Sequence, residues 1–538
     1  MEKNRVYKLK INEFLYIEIL YDGSSIQIVS NGNCSEHVVS LVNVNGKSII
    51  KINGLPRCTI DLLNGNVTSN LKVIPTAAVR NYSECFNTKS EDKDFLINQV
   101  TFNKGVSERV QNETELHTHF MEILSGEEYL NIILKHIDYL GIDYDGNLCR
   151  AFPIKNYSPR ELDDTNIAKW LSKDEILSNK ELYNKLVSQL SLPIDKQVPF
   201  TEINKILTRR TALLDLVGYY NAKTEIDSLN VSNNQFNNEI RRLCSDAKAD
   251  IYVEILIKSL DTLKKQGIKY VELSFSTPTT IVKIFERLKN YNISGIKFNF
   301  LLSENRNADG KSFREYFIDV KTGEQRRNKK SVECWLEKLI DAGYITGFDL
   351  MGAEQEVVPN DYIKGSINNG SLYDKLEIIL VKLNKYENNN LICRLHAGEF
   401  AYNTQNLDGK SNPERILEII DDIAANNNII VPPPTIRIGH GIHINKNSNY
   451  LRLLRKYGVI IEVNASSNFA LGNIKNMYEI PYNWYLQNGI PIVLGTDGGG
   501  FYLTTPMDES DIAQMFGGVR VAKEINGNDA IELKKRGI

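Results

Sequence analysis

The sequence has few histidines and lacks the cysteine patterns of disulfide or thiolate metal sites. Only seven of its 538 residues are histidine, and its seven cysteines include no C-x-x-C pair. An odd number of scattered cysteines argues against both a disulfide framework and a thiolate zinc site, and it favours a reducing compartment. We therefore predict a cytoplasmic protein.

Two further absences limit the classes of partner. The formal net charge is −3, from 64 basic and 67 acidic residues, so no basic excess attracts phosphate backbones or acidic membranes. No apolar run approaches the roughly 18 residues of a membrane span, and the N-terminal stretch MEKNRVYKLKINEF has no signal-peptide core. We expect neither stable nucleic-acid binding nor membrane insertion.

The first 75 residues alternate apolar and polar side chains at a period of two, as in FLYIEIL and KSIIKI. Asp-Gly or Asn-Gly pairs at positions 22, 45 and 64 are typical of hairpin turns between such strands. This pattern predicts a small antiparallel β-domain over residues 1–80. The polar, weakly periodic stretch that follows predicts a linker over residues 81–110.

Beyond the linker, short apolar runs alternate with amphipathic stretches that end near glycine or asparagine, as helices do. Eight such alternations predict an α/β fold, a (β/α)₈ TIM barrel over residues 111–538. The polar stretch at about 143–248 predicts a helical insertion between the first and second barrel strands. The eight strand candidates are ELHTH (115–119), KYVELSF (269–275), KFNFLLS (297–303), ITGFDLM (345–351), LICRLHA (391–397), TIRIGHG (435–441), VIIEVNA (459–465) and PIVLGTD (491–497).

Four of the seven histidines stand at the C-terminal ends of these strands. His117 and His119 end the first strand, His396 the fifth and His440 the sixth, and Asp497 ends the eighth. Active sites of (β/α)₈ barrels are built at that rim, and residues i and i+2 of a strand share one face. The pattern therefore predicts that these side chains gather at the barrel mouth.

His117, His119, His396 and Asp497 would offer three imidazoles and one carboxylate to a metal ion. Such a nitrogen and oxygen set suits zinc and leaves a position for water, although other divalent ions bind it too. The alternative is a closed, purely structural metal site. The remaining histidines are expected to be a surface residue, a helix-face residue and a structural neighbour of His440: His37, His136 and His443.

The stretches ELHTHF, GIKYVELSFS, FDLMGAE, HAGEF, RIGHGIH, EVNASSN and GTDGG resemble the adenosine deaminases of the metal-dependent amidohydrolase superfamily, in the same order. The resemblance extends from about residue 115 to residue 507. It implies one zinc ion per subunit on the four ligands named above. It also implies Glu399 as the proton shuttle, His440 beside the hydrolytic water, and the backbone N–H of Gly352 against the purine ring.

The resemblance implies zinc-dependent hydrolytic deamination of adenine in adenosine or in a nucleotide such as AMP or ATP, which yields an inosine-type product and ammonia. Protonation of ring N1 makes C6 electrophilic, a task for a carboxylic acid whose pKa is raised in a dry pocket, and Glu399 is the candidate. Enlarged family members occur in bacterial anti-phage systems, and attached β-domains often mediate oligomerisation. We therefore expect a homo-oligomer, with defence as a possible setting.

Two positions depart from the family pattern. Gly498 follows Asp497 where the family usually has an aspartate that contacts the imidazole side of the purine, so this contact must be lost, moved or made by backbone. Met121 stands where the family has an aspartate for the 5′-hydroxyl group. Loss of that carboxylate would permit a 5′-phosphate, although the neighbouring Glu122 opposes this interpretation.

Alternative functions follow from these departures. One is an amidohydrolase that acts on another amine or amide, because the altered positions are substrate contacts. Another is a non-catalytic assembly or scaffold protein, which the presence of Glu399 and His440 argues against. The loop at 304–330 is either solvated or binds phosphate through Arg306, Arg314, Arg326, Arg327, Lys329 and Lys330.

Overall fold

The structure is a computed structural model of the chain. It describes residues 112–148, 168–193, 197–222, 225, 228, 233–307, 335–354, 371–386, 390–400, 410–429, 435–475 and 477–538, together with the backbone of nine strands between residues 5 and 97. His37 and the predicted hairpin turns at 22, 45 and 64 lie outside the described residues.

The N-terminal strands form two antiparallel sheets, with the orders β8-β1-β2-β3-β9 and β4-β5-β6-β7. This confirms the predicted antiparallel β-structure. Residues 96–97, inside the stretch predicted as a linker, pair with β3. The strands are β1 (Arg5–Lys10), β2 (Tyr16–Tyr21), β3 (Ile26–Asn31), β4 (Val39–Val44), β5 (Lys47–Ile52), β6 (Leu55–Asp61), β7 (Val67–Ser69), β8 (Lys72–Pro75) and β9 (Leu96–Ile97).

The largest sheet consists of eight parallel strands that neighbour one another in order along the barrel, so the predicted (β/α)₈ barrel is confirmed. The last strand meets the first through a parallel bridge between Thr118 and Asp497, and the Asp497 N–H donates to the His117 carbonyl at 2.8 Å. The strands are β10 (Thr114–His119), the insertion strands β11 (Tyr139–Ile142) and β12 (Lys169–Ser172), then β13 (Tyr270–Phe275), β14 (Lys297–Asn305), β15 (Ile345–Met351), β16 (Ile392–Ala397), β17 (Thr435–His440), β18 (Ile460–Val463) and β19 (Ile492–Leu494).

Helices cover the outside of the barrel, and none of those described combines the length and apolar character needed to cross a membrane. The helices are α1 (Gly126–His136), α2 (Lys173–Ser178), α3 (Lys180–Ser188), α4 (Phe200–Asn221), α5 (Asn233–Lys265), α6 (Pro278–Leu288), α7 (Trp335–Asp341), α8 (Leu372–Leu383), α9 (Asn412–Asn426), α10 (Ser448–Lys456), α11 (Ala465–Ala470), α12 (Tyr482–Gln487), α13 (Gly499–Tyr502), α14 (Pro506–Gly517) and α15 (Val519–Lys535).

The insertion between β10 and β13 is helical, as expected, but it also contains the antiparallel pair β11–β12, which the sequence pattern did not predict. Its helix α4 carries Arg210, a fully buried side chain. The guanidinium donates to the carbonyls of Met121 at 2.7 Å, Leu124 at 3.0 Å and Leu190 at 2.7 Å. Charge-assisted bonds of this kind fix the turn that follows β10.

The barrel interior below the rim contains fully buried charges instead of a purely apolar core. Arg394 Nε donates to Glu462 at 2.7 Å, and Arg437 Nη1 donates to Glu272 at 2.5 Å. Arg437 also donates to Glu532 of α15 at 2.7 Å. Because each charge has a partner of opposite sign, the desolvation cost is offset, and removal of one partner alone would be strongly destabilising.

Candidate metal centre and active site

The structure brings the predicted rim residues together at the barrel mouth. His117 Nε2 lies 3.4 Å and His119 Nε2 lies 3.3 Å from the same Asp497 oxygen. The imidazole centroids of His117 and His396 are 4.7 Å apart, and those of His396 and His440 are 5.0 Å apart. Residues more than 370 positions apart in sequence therefore share one site because the barrel closes between β19 and β10.

The donor atoms fit a divalent cation. One nitrogen or oxygen each from His117, His119 and Asp497 lie within 4.8 Å of one another, as do nitrogens of His117, His396 and His440. His396 Nε2 and Asp349 Oδ1 are 3.2 Å apart, yet neither makes a hydrogen bond within the described residues. Buried polar atoms without partners are costly, and a cation would satisfy them. Asp349 was not predicted as a site residue.

Two of the site residues have strained backbone. His440 has φ 69° and Asp497 has φ 64°, in the left-handed region that costs a non-glycine residue of order 1–3 kcal/mol.

Glycines make room for the His117 ring beside them. A Cβ at position 439 would lie 2.7 Å from His117 Cε1, and one at position 495 would lie 2.4 Å from its Cβ. The glycines of RIGHG and VLGTD are thus explained by the closeness of His117.

Glu462 on β18 orients His117. Its Oε2 accepts from His117 Nδ1 at 2.8 Å and from Arg394 Nε at 2.7 Å. Burial alone would raise the pKa of Glu462, but Arg394 and His117 hold it well below its usual value. The ionised carboxylate therefore keeps a proton on His117 Nδ1, so that Nε2 presents its lone pair to the metal site.

We predict that Glu462→Gln lowers metal affinity by about 10- to 100-fold, the range found for partners of metal-binding histidines. The amide cannot balance the buried Arg394, so we also expect a lower melting temperature. Competition with a chromophoric chelator measures the affinity. Unchanged affinity in a folded variant would show that Glu462 does not orient His117.

His440 is held by a second partner. Asn468 Nδ2 donates to His440 Nδ1 at 3.0 Å and to the Asn464 carbonyl at 2.7 Å. Burial lowers the pKa of His440 well below its ordinary value despite the nearby Asp497. A neutral ring that accepts at Nδ1 carries its proton on Nε2, which lies 3.7 Å from Glu399 Oε2. His440 Nε2 also lies 3.2 Å from His396 Nδ1, so the hydrogen bond that His440 donates stays within the site.

The segment that carries Asn468 is anchored by Glu509 of α14. The Glu509 carboxylate accepts from the backbone N–H groups of Ala465 at 2.9 Å and Ser466 at 3.2 Å. Burial raises the pKa of Glu509 from 4.5 to about 7. Folding therefore takes up a proton at intermediate pH.

We predict that Glu509 destabilises the fold progressively as pH rises from 4.5 to 7. The folded protein binds the Glu509 proton more tightly than the unfolded chain does, so this contribution is complete below pH 4.5 and lost by pH 7. The pKa shift of Glu509 corresponds to roughly 3 kcal/mol in the free energy of unfolding, since one pKa unit is worth ~1.4 kcal/mol. Glu509→Gln removes the titration. The melting temperature of Glu509→Gln minus that of wild type should increase from pH 5 to pH 8, because only wild type loses stability over this range. A difference that does not change with pH would contradict the prediction.

Glu399, the predicted proton shuttle, lies on the turn after β16 and is only 4% exposed. Burial, with Asp497 and Glu354 nearby, raises its pKa well above the ordinary value. The Glu354 carboxylate accepts from the Gly398 N–H at 3.0 Å and from the Glu399 N–H at 3.1 Å. Glu354, which was not predicted, therefore fixes the turn that presents Glu399 to the site.

The site opens into a cavity of about 400 Å³, within the usual range for small-molecule pockets. Gly352 lines it with φ 108°, and a Cβ there would lie 2.4 Å from Asn305 Oδ1. The insertion helix α4 supplies an apolar wall. The residues that line the cavity include His119, Met121, Glu122, Phe200, Ile203, Leu207, Gly352, His396, Glu399, His440, Asp497 and Tyr502.

The other sequence-predicted residues lie apart from this centre or beside it. His136 Nε2 lies 2.7 Å from Glu254 on the helical surface, and His443 Nε2 lies 2.8 Å from the Asn473 carbonyl. Gly498 lies next to Glu122 at the cavity edge. Arg306 is buried and donates to the His396 carbonyl. The other predicted phosphate-binding residues, Arg314, Arg326, Arg327, Lys329 and Lys330, lie outside the described residues.

Comparison with known proteins finds similar sequences and a partly superposable crystal structure. An adenosine deaminase from Enterococcus faecalis is 36% identical over 61 residues, 11% of this chain and 18% of that protein, so less than a fifth of its length is covered. One from Clostridium botulinum is 23% identical over 323 residues, 57% of this chain and 79% of that protein. The crystal structure of Arabidopsis ADAL complexed with IMP aligns with 79% of this chain and 94% of that chain, at 13% identity and a TM-score of 0.42.

The family profile described as "Adenosine deaminase" matches residues 232–530. This range includes His396, Glu399, His440 and Asp497. His117 lies outside it, and the structure places His117 directly against the residues inside. Because the matched range is more than half of the 538 residues, this chain belongs to the adenosine deaminase family.

Proposed function

We propose that the protein catalyses metal-dependent hydrolytic deamination of adenine in a nucleoside or nucleotide, with release of ammonia. One observation carries the proposal: the buried Glu399 lies beside the buried His440 and a His/Asp cluster in a single cavity. The family's curated relatives are adenosine deaminases, which supports adenine as the base.

The residues of this chain account for the proton movements. The Glu399 carboxylic acid donates its proton to ring N1, so that C6 becomes electrophilic. The Glu399 side chain is left as a carboxylate, which can act as a base. His440 Nε2–H orients the attacking oxygen. His117, His119, His396 and Asp497 would hold a divalent ion, which we propose to be zinc, and this ion would supply a water whose pKa is lowered to about 7. The C6–O bond forms, and the Glu399 carboxylate takes the proton of the attacking oxygen and passes it to the C6 amino group. The C6–N bond then breaks, and the amino group leaves as ammonia.

The described walls favour a substrate without a phosphate close to the reacting centre. No lysine or arginine lines the cavity within the described residues, whereas Glu122, Glu399 and Asp497 do. A phosphate buried against these walls would lack a partner of opposite charge, which is costly. We therefore propose adenosine or deoxyadenosine as the first substrates to test, with AMP and ATP as the nucleotide alternatives.

The test is incubation of the metal-loaded protein with adenosine, deoxyadenosine, AMP and ATP, while the adenine absorbance and the ammonia released are followed. Turnover of a nucleoside or nucleotide supports the proposal and ranks the substrates. If none of the four is deaminated by protein that contains its metal, an amidohydrolase acting on another amine or amide becomes the better assignment.

The biological setting follows from the resemblance to enlarged family members. We propose a cytoplasmic homo-oligomer that acts on cellular adenine nucleosides or nucleotides, with anti-phage defence as its role. Expression in a phage-sensitive host should lower phage plating efficiency, and a Glu399→Gln variant should not. Equal plating with both proteins would remove the defence role without affecting the proposed chemistry.

A further inference from the structure

Helix α15 closes the end of the barrel that lies opposite the metal centre. Asn528 Nδ2 donates to the carbonyl of Ile492, the first residue of β19, at 2.8 Å. Lys297 Nζ, on the first residue of β14, donates to the carbonyl of Gly537 just beyond the helix at 2.7 Å. Leu533 packs against buried side chains from four barrel strands. Because the barrel strands run in parallel, these contacts place α15 at their N-terminal ends, whereas the site lies at their C-terminal ends.

A line of buried hydrogen bonds connects α15 with the metal centre. Glu462 accepts from His117 Nδ1 at 2.8 Å through Oε2, and its other oxygen, Oε1, accepts from Arg437 Nη1 at 3.1 Å. Arg437 Nη2 donates to Oε2 of Glu532, on α15, at 2.7 Å. The other oxygen of Glu532 accepts from Lys535 Nζ at 2.7 Å, and this lysine is partly exposed. The line therefore extends from a candidate metal ligand through three buried charges to the far surface of the barrel.

The ion pairs around this line are balanced in charge. Loss of the Glu532 charge would leave these side chains with one positive charge in excess, and Arg437 Nη2 would lose the carboxylate to which it donates. Arg437 would then draw more strongly on Glu462, the carboxylate that holds His117. The paired side chains are three arginines and three glutamates: Arg394, Arg437, Arg536, Glu272, Glu462 and Glu532.

We propose that Glu532 is a positioning residue for the metal centre, which acts on His117 from the opposite end of the barrel through Arg437 and Glu462. This inference rests on the proposed function, because it requires that His117 binds the ion. Partners that orient metal-binding histidines raise the affinity for the metal, so a change that weakens such a partner lowers it. Glu532 lies beyond residues 232–530, the range that matches the family, so that match assigns it no role.

The first test measures zinc affinity by competition with a chromophoric chelator. We expect Glu532→Gln to weaken zinc binding by roughly 3- to 30-fold, the range over which single residues modulate such coupling. The amide still accepts a hydrogen bond from Arg437, which also keeps its two other carboxylates, so the variant should fold.

Glu524→Gln is the matched control for this measurement. It removes a carboxylate from the same helix, but from an exposed pair with Arg520, 3.9 Å away. Exposed pairs contribute little, so its zinc affinity should stay within about twofold of wild type.

Two further variants distinguish positioning from a general loss of stability. Leu533→Ala leaves a cavity beside the same helix without changing any charge, so it should lower the melting temperature and leave zinc affinity within about twofold of wild type. Arg437→Lys keeps the positive charge, but a single ammonium cannot reproduce the fork that bonds Glu462 and Glu532 together. It cuts the same line at another point, so we expect weaker zinc binding here too, and this variant decides the question if Glu532→Gln does not fold.

A double-variant cycle tests the path. If Glu532 acts through Glu462, the Glu532→Gln change should cost less than about twofold in zinc affinity once Glu462→Gln is present. An equal cost in both backgrounds would overturn the connection through Glu462.

The outcomes separate this inference from the function on which it rests. Zinc affinity like that of wild type in both Glu532→Gln and Arg437→Lys overturns the positioning role and leaves the proposed function standing. A loss in Leu533→Ala as large as that in Glu532→Gln overturns the positioning role as well. Wild type that binds no divalent ion overturns the metal-dependent function, and the positioning role with it. Weaker zinc binding in Glu532→Gln and Arg437→Lys, with unchanged controls and a coupled cycle, supports the full inference.

Discussion

Glu399→Gln should lower kcat by about 10²–10⁴-fold or more, while the variant stays folded and keeps its metal. Glutamine has nearly the same shape and cannot transfer a proton. The residue is 4% exposed, and its pKa is raised well above the ordinary value by burial and by the nearby Asp497 and Glu354. This raised pKa favours the protonated carboxyl, which is the form that donates to a ring nitrogen.

Steady-state kinetics and metal analysis of the same preparation check this expectation. Glu418→Gln is the matched control, because this half-exposed glutamate of α9 pairs with Lys410 away from the site. It should leave kcat within about twofold of wild type, as exposed ion pairs contribute little. If Glu399→Gln kept more than a tenth of the wild-type kcat, another group would have to move the proton, and Glu399 would lose its role.

The barrel strands were predictable because each is buried on both faces and so reads as a short, continuous apolar run. KYVELSF and ITGFDLM are of this kind, and both form strands close to the predicted bounds. The gathering of His117 and Asp497 followed from topology alone. Closure of a barrel brings the end of the eighth strand to the end of the first.

The residues that orient the site were not predicted, because their partners come from strands distant in sequence. Glu462 is a single acid in VIIEVNA, and Asp349 is a single acid in ITGFDLM. Their signal was present: a carboxylate inside an apolar strand is buried, and a buried carboxylate is almost always paired. Which histidine or arginine pairs with it requires the fold. The closeness of Glu122 to Gly498 likewise requires the fold, since nothing in either segment indicates the other.

Removal of one ligand should abolish metal binding and activity together, and His119→Ala is the variant of choice. His117 is fully buried, and its loss would remove one partner of the buried Glu462, whereas the His119 side chain is 14% exposed and ends its strand. We expect about one divalent ion per chain in wild type and a small fraction of that in the variant. The rate should fall by several orders of magnitude, since water without the ion is too weak an acid to supply hydroxide at neutral pH.

Thermal stability gives an independent measure of the same site. A ligand that binds only the folded protein stabilises it by about 4 kcal/mol at a thousand times its Kd, so a chelator should lower the melting temperature of wild type. The chelator should have no effect on His119→Ala. His443→Ala is the matched control, since this imidazole bonds the Asn473 carbonyl and should leave both metal content and the chelator response intact. A His119→Ala protein that retained stoichiometric metal would mean that the cation sits between His396 and Asp349 instead, where two buried atoms lack hydrogen-bond partners within the described residues.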